Sequence, residues 1–240
     1  MNRWGGSVSA MVLVSGFLWG GCSKDIFDVT VELGSETYSA DVGQQTGTIP
    51  TIACNPHYPG VCSAATVVAP NDVAAAGPVT VAVTPGCDGT TNLCFAQVSA
   101  RVVYPVSVLQ DDGFVTAVAQ RSLSLVRLAE LAYTVPTNTL TFDVPSVDIY
   151  VGPAGTLTET DPGVVQVGSI VPVPAGTPFT NPMNLTIADG SPGRALIEQS
   201  IQAQQTFVFV LTLSPQIEAG APVPAGAIEV DLFPQVDLGF

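Results

Sequence analysis

Residues 206–213 read TFVFVLTL, a run of β-branched, aromatic and aliphatic side chains with no polar face. A strand with one wet face alternates apolar and polar residues, so a run that is apolar on both faces marks a central strand covered by a helix or a second sheet. A helical pattern stands just before it. Ser191 is a good N-cap, Pro192 suits the first helical position, and Leu196, Ile197, Ser200, Ile201 and Gln204 share one stripe, which predicts a short helix over about 192–204. Just after it, Ile228, Val230 and Leu232 alternate with Glu229 and Asp231, the period of a half-buried strand.

The same period recurs toward the N-terminus. Val79, Val81 and Val83 alternate, and Cys94, Ala96, Val98, Ala100 and Val102 line one face of a long strand that runs toward Val108. Asp111-Asp112-Gly113 reads as a turn. The stretch 122–135 fits helix or strand. Strand is preferred, because its neighbours are β and Pro136 ends it. Leu140–Val144, Val147–Val151, Val164–Val173 and Leu185–Ile187 complete the list of strands, and Phe27, Val29, Val31 and Leu33 open it. Many short strands, Pro- and Gly-rich turns and one helix predict a mainly β fold, an antiparallel β-sandwich. No fixed-period repeat appears, and residues 22–240 are expected to form one sandwich domain.

The segment MNRWGGSVSAMVLVSGFLWGGC ends at Cys22. Arg3 supplies a positive start, and the apolar core from Val8 to Trp19 is well short of the roughly 20 residues of a spanning helix. With Gly20 and Gly21 leading into one cysteine, residues 1–23 resemble a bacterial lipoprotein signal. Trp19 stands where that pattern usually has Leu, and Leu18 lies one step earlier. The resemblance implies a signal peptide over 1–21 and a Cys22 that carries acyl chains, palmitate among them, after cleavage. Stable anchoring takes at least two membrane signals, which the acyl chains would supply without a polybasic segment. By the sorting rule of the enteric lipoproteins that the segment resembles, Ser23 rather than Asp after the cysteine implies the outer membrane rather than the inner one. The first strand begins only a few residues later, so the domain is expected to sit close to the bilayer.

Charge narrows the partners. All 20 carboxylates follow Cys22 and Arg3 precedes it, so the chain from Cys22 onward carries 5 − 20 = −15. Such a surface repels phosphate backbones and anionic headgroups. Nucleic acid is therefore not an expected partner; the membrane, reached through the anchor, and another envelope protein are.

Four further cysteines, Cys54, Cys62, Cys87 and Cys94, form an even set in a chain that reads as exported, which predicts two disulfides stapling the region 54–94. The favoured pairing joins Cys54 to Cys62 and Cys87 to Cys94, because each pair brackets a short turn-rich loop. A zinc site using His57 is the competing reading. No C-x-x-C pair supports it, and no metal or cofactor is expected.

Catalytic constellations are sparse. His57 is the lone imidazole, and no G-x-S-x-G occurs; residues 189–193, DGSPG, read as a turn and helix cap. Glu229 and Asp231 resemble the start of the E-x-D-x-x-E pattern of laminarinase-type jelly rolls, but Pro234 stands where the third acid belongs. Trp4 and Trp19 both lie in the signal, which leaves no indole platform for a sugar. Asp111-Asp112, Glu159 with Asp161, and Asp189 could offer oxygen ligands to calcium, without the D-x-D-x-D-G spacing. The expected function is a non-catalytic structural or interaction module. The alternatives are a small-ligand or cation-binding β-domain and, behind it, a hydrolase of unrecognised type.

Overall fold

In the computed structural model of the chain, the residues described are 29–33, 36–41, 48–49, 51–54, 62, 79–119 and 122–240. The proposed signal, Cys22, Phe27 and His57 lie outside them. Eleven strands and two α-helices are assigned among these residues. In chain order the strands are β1 (Val29–Glu32), β2 (Glu36–Asp41), β3 (Val79–Cys87), β4 (Cys94–Val106), β5 (Leu125–Asn138), β6 (Val147–Pro153), β7 (Val165–Ile170), β8 (Phe179–Asn184), β9 (Phe207–Leu213), β10 (Gln216–Ile217) and β11 (Ala227–Gly239). The helices are α1 (Asp112–Val118) and α2 (Pro192–Gln202).

Two antiparallel sheets pack as a β-sandwich. The first runs β8–β5–β11, with β1 and β2 end to end along the far edge of β11: Val29 to Glu32 pair with Leu238 to Gln235, and Glu36 to Asp41 continue from Leu232 to Ala227. The second runs β3–β4–β9–β6–β7, with β10 pairing to β4 beyond the end of β9. The core lies between them. Ala96, Val98, Ala100 and Val102 of β4 face it, as do Val126, Leu128, Leu131, Tyr133 and Val135 of β5.

The run at 206–213 is the central strand its composition implies. Phe207 to Leu211 are buried on both faces, and β9 lies between β4 and β6. Of the two covers expected, the other sheet lies over its inward face, where Leu211 and Leu213 meet Ile228 and Val230 around one small hollow, whereas α2 packs against β5, β6 and β7. Val208 and Val210, on the outward face, are buried as well, and the loop after β6 folds back so that Glu159 reaches Arg101 of β4.

Helix α2 begins as expected, with the Ser191 hydroxyl accepting from the Arg194 N–H and Ile197 and Ile201 fully buried. Its polar side repairs a defect in β5. A register shift between Gln235 and Val236 of β11 puts a bulge near Leu128 of β5. There Glu198 accepts the Leu128 N–H at 2.9 Å while Arg194 donates to the Leu128 carbonyl.

Four local expectations change. Asp111-Asp112-Gly113 is the start of a second helix: the Asp111 carboxylate accepts the Phe114 N–H at 2.7 Å as the N-cap of α1, and Phe114 is buried. The segment 122–135 is a strand, but Pro136 does not end it, and β5 runs on to Asn138. Leu140–Val144 forms only an isolated bridge, Val144 to Val173, and the strand sought at Leu185–Ile187 lies earlier, as β8. β8 carries Pro182 on a sheet edge, where a missing N–H is tolerated.

Candidate functional site

The four cysteines meet at the end of the sandwich where β3 turns into β4. Asp88 holds that turn, its carboxylate accepting the Thr90 N–H at 2.8 Å and the Thr91 hydroxyl at 2.7 Å. The Thr91 hydroxyl, then the Thr90 N–H, hold the Asp88 carboxyl below its usual range. Asn92 completes the turn with φ 55°, a left-handed conformation that Asn tolerates better than most residues.

The pairing is Cys54–Cys87 and Cys62–Cys94, with Cα–Cα separations of 5.9 and 5.7 Å. This corrects the expected Cys54–Cys62 and Cys87–Cys94 pairs. The reason is a ladder that no local reading reveals: Cys54 N–H donates to the Asn92 carbonyl at 3.0 Å and Cys94 N–H to the Ile52 carbonyl at 2.9 Å, so residues 51–54 run antiparallel beside 92–94. Cys54 is thereby set beside the hairpin. The bonds span 33 and 32 residues. In the chain-entropy model, loops of that length stabilise by roughly 3.5–4 kcal/mol each, against about 2–3 for the short loops first expected. Cys54, Cys62 and Cys94 form a small buried cluster of their own, with Ile52 and Cys87 packed on it. The sulfurs of Cys54, Cys62 and Cys87 lie within 4.8 Å of one another, but in disulfide form they are not the thiolates a zinc site needs.

The carboxylates singled out in the sequence do not converge. Glu229 and Asp231 lie on the outward face of β11; one Asp231 oxygen stands 3.5 Å from the Thr134 hydroxyl, and the other is buried without a hydrogen-bond partner among the described residues. Asp161 is spent on its own turn, accepting the Leu157 and Thr158 N–H groups and the Thr158 hydroxyl, and these bonds lower its pKa, the Thr158 hydroxyl most. Glu159 makes a two-pronged pair with Arg101 at 2.7 and 2.9 Å. That pair lowers the Glu159 pKa and raises that of Arg101, while burial and then the charge of Asp148 raise that of Tyr150. Asp189 pairs with Arg194.

Between the sheets lies a small, partly open apolar hollow of about 30 Å³, lined by Ala40, Ala100, Val102, Val147, Leu211, Leu213, Ile228 and Val230. Its wall is aliphatic throughout, and its volume is far below the few hundred Å³ of a small-molecule site. Sequence patterning marked all of these but Ala40 as strand residues of the core and gave no sign of the hollow, because the space depends on how far apart the sheets sit.

No family model matches this chain, and no curated protein or solved structure matches it.

Proposed function

We propose that the chain is an envelope lipoprotein, acylated at Cys22 with palmitate among its chains, that holds an acidic, non-catalytic β-sandwich at the membrane as a structural or interaction module. The observation that carries this reading is the run Val8–Trp19 followed by Gly20, Gly21 and Cys22, with β1 beginning only seven residues further on. Seven residues reach at most about 25 Å. The first sheet thus starts within that distance of the acylated cysteine. The outer membrane, indicated by Ser23, is the assigned surface, and another envelope protein is the partner class. Carboxylates engaged in caps, turns and ion pairs rather than gathered in a cleft support the non-catalytic part of the reading.

Metabolic labelling with palmitate, followed by membrane fractionation, tests it. Wild-type protein takes up label and sediments with outer membranes, and Cys22→Ala takes up none. A wild-type protein without label overturns the reading.

A further inference from the structure

The two ends of the sandwich differ in kind. β4 is 13 residues long, about 40 Å, and runs from the cystine cluster at Cys94 to Val106 at the opposite end. That opposite end also holds the start of β1, the start of β5, the end of β11 and the start of β9. Val29 pairs with Leu238, Leu125 with Gly239, and Val106 with Phe207. It is the end from which the chain leads back to Cys22.

Large apolar side chains are exposed there. Leu109, between β4 and α1, is 53% exposed, Val115 on α1 is 40%, and Leu125 at the start of β5 is 41%. Six large apolar side chains are exposed among the described residues, and these are three of them. Residues 106–125 contain Asp111, Asp112 and Arg121, a net charge of −1, and Asp111 is engaged as the cap of α1.

We infer that this end, through Leu109, Val115 and Leu125, rests in the interfacial zone of the lipid bilayer, so that the cystine-stapled end points away from the membrane. The inference rests on the acylation proposed above, because the short chain from Cys22 to Val29 is what brings this end to the surface. Isolated apolar residues on a protein surface are ordinary. What selects lipid as the occupant is their collection at the end whose first strand, β1, starts within about 25 Å of Cys22.

Cleavage before Cys22 removes both tryptophans, so a single introduced indole reports alone. Leu109→Trp, Val115→Trp and, at the tip of the β3–β4 turn, Thr91→Trp are purified with the anchor intact and placed in vesicles of phosphatidylcholine brominated on its acyl chains. Intact mass verifies acylation in each sample. With Cys22 acylated, the indoles at 109 and 115 lose most of their emission and shift to the blue relative to lipid-free detergent samples, while that at 91 keeps its emission. Emission retained at both 109 and 115 on an acylated protein overturns this inference and leaves the lipoprotein reading standing. An unmodified Cys22 overturns both.

Discussion

Asp237 on β11 and Arg127 on β5 face each other across the first sheet, with the guanidinium Nη2 2.7 Å from the carboxylate Oδ2, and the Thr30 hydroxyl of β1 donates to the other oxygen at 2.7 Å. One row of side chains thus ties three strands at the end nearest the proposed anchor. Arg127 is 54% exposed and the Asp237 side chain only 12%, so the two ends of the pair are not equivalent. Arg127→Ala leaves a shielded carboxylate with one hydroxyl and is predicted to cost roughly 1–3 kcal/mol. Adding Asp237→Asn recovers part of that loss. Additive losses in urea unfolding of the single and double variants would contradict the account.

The Arg101–Glu159 pair gives a pH dependence of known sign. The guanidinium beside Glu159 lowers its pKa in the folded protein, so the contribution is fully present above the ordinary glutamate range and is lost as pH falls through the lowered value. Both side chains are about a third exposed or slightly less, and the expected magnitude is about 0.5–1 kcal/mol. Glu159→Gln should be less stable than wild type by that amount at neutral pH. The difference should close below about pH 4, and a gap that widens on acidification would refute the assignment.

Crossed disulfides make a definite peptide map. Digestion without reduction is expected to link the Cys54 peptide to that of Cys87, and that of Cys62 to that of Cys94. Replacing Cys62 and Cys94 together by Ala should cost about 2–5 kcal/mol. Recovery of a Cys87–Cys94 peptide from native protein would show the hairpin closed on itself instead.

Two glycines separate backbone strain from collision. Gly155 has φ 87° with open space where a Cβ would go, while Gly226 has φ 96° and its Cβ would strike the Thr139 carbonyl. Gly155→Ala is expected to cost about 1–2 kcal/mol for the left-handed conformation alone. Gly226→Ala must also displace the backbone near Thr139, whose N–H bonds to Ala227, and should cost clearly more. Equal melting temperatures for the two variants would contradict this.

These sites also show what the sequence carries. The sandwich was legible wherever one physical rule acted alone: period-2 burial in β4, two-sided apolarity in β9, and the Ser191 cap of α2. Helix α1 was readable too, since Asp111, Asp112 and Phe114 are a cap, a first-turn acid and a buried anchor, but a short Asp- and Gly-rich stretch also fits a turn. β8 was not, because an exposed, Pro-containing edge strand has no apolar period to display. Cysteine identity was legible and its pairing was not. Local loop length favoured neighbours, whereas the pairing follows from residues 51–54 lying beside 92–94, a contact across some forty residues.

The state of Cys22 bears most directly on the function proposed. Intact-mass analysis of protein extracted from membranes, read together with its fluorescence, settles it in one preparation. The account predicts a chain beginning at Cys22, heavier than its sequence by a diacylglyceryl group and an N-linked acyl chain, with emission from Tyr38, Tyr58, Tyr104, Tyr133 and Tyr150 and none from tryptophan. An unmodified Cys22, or tryptophan emission from a retained Trp4 and Trp19, would contradict it.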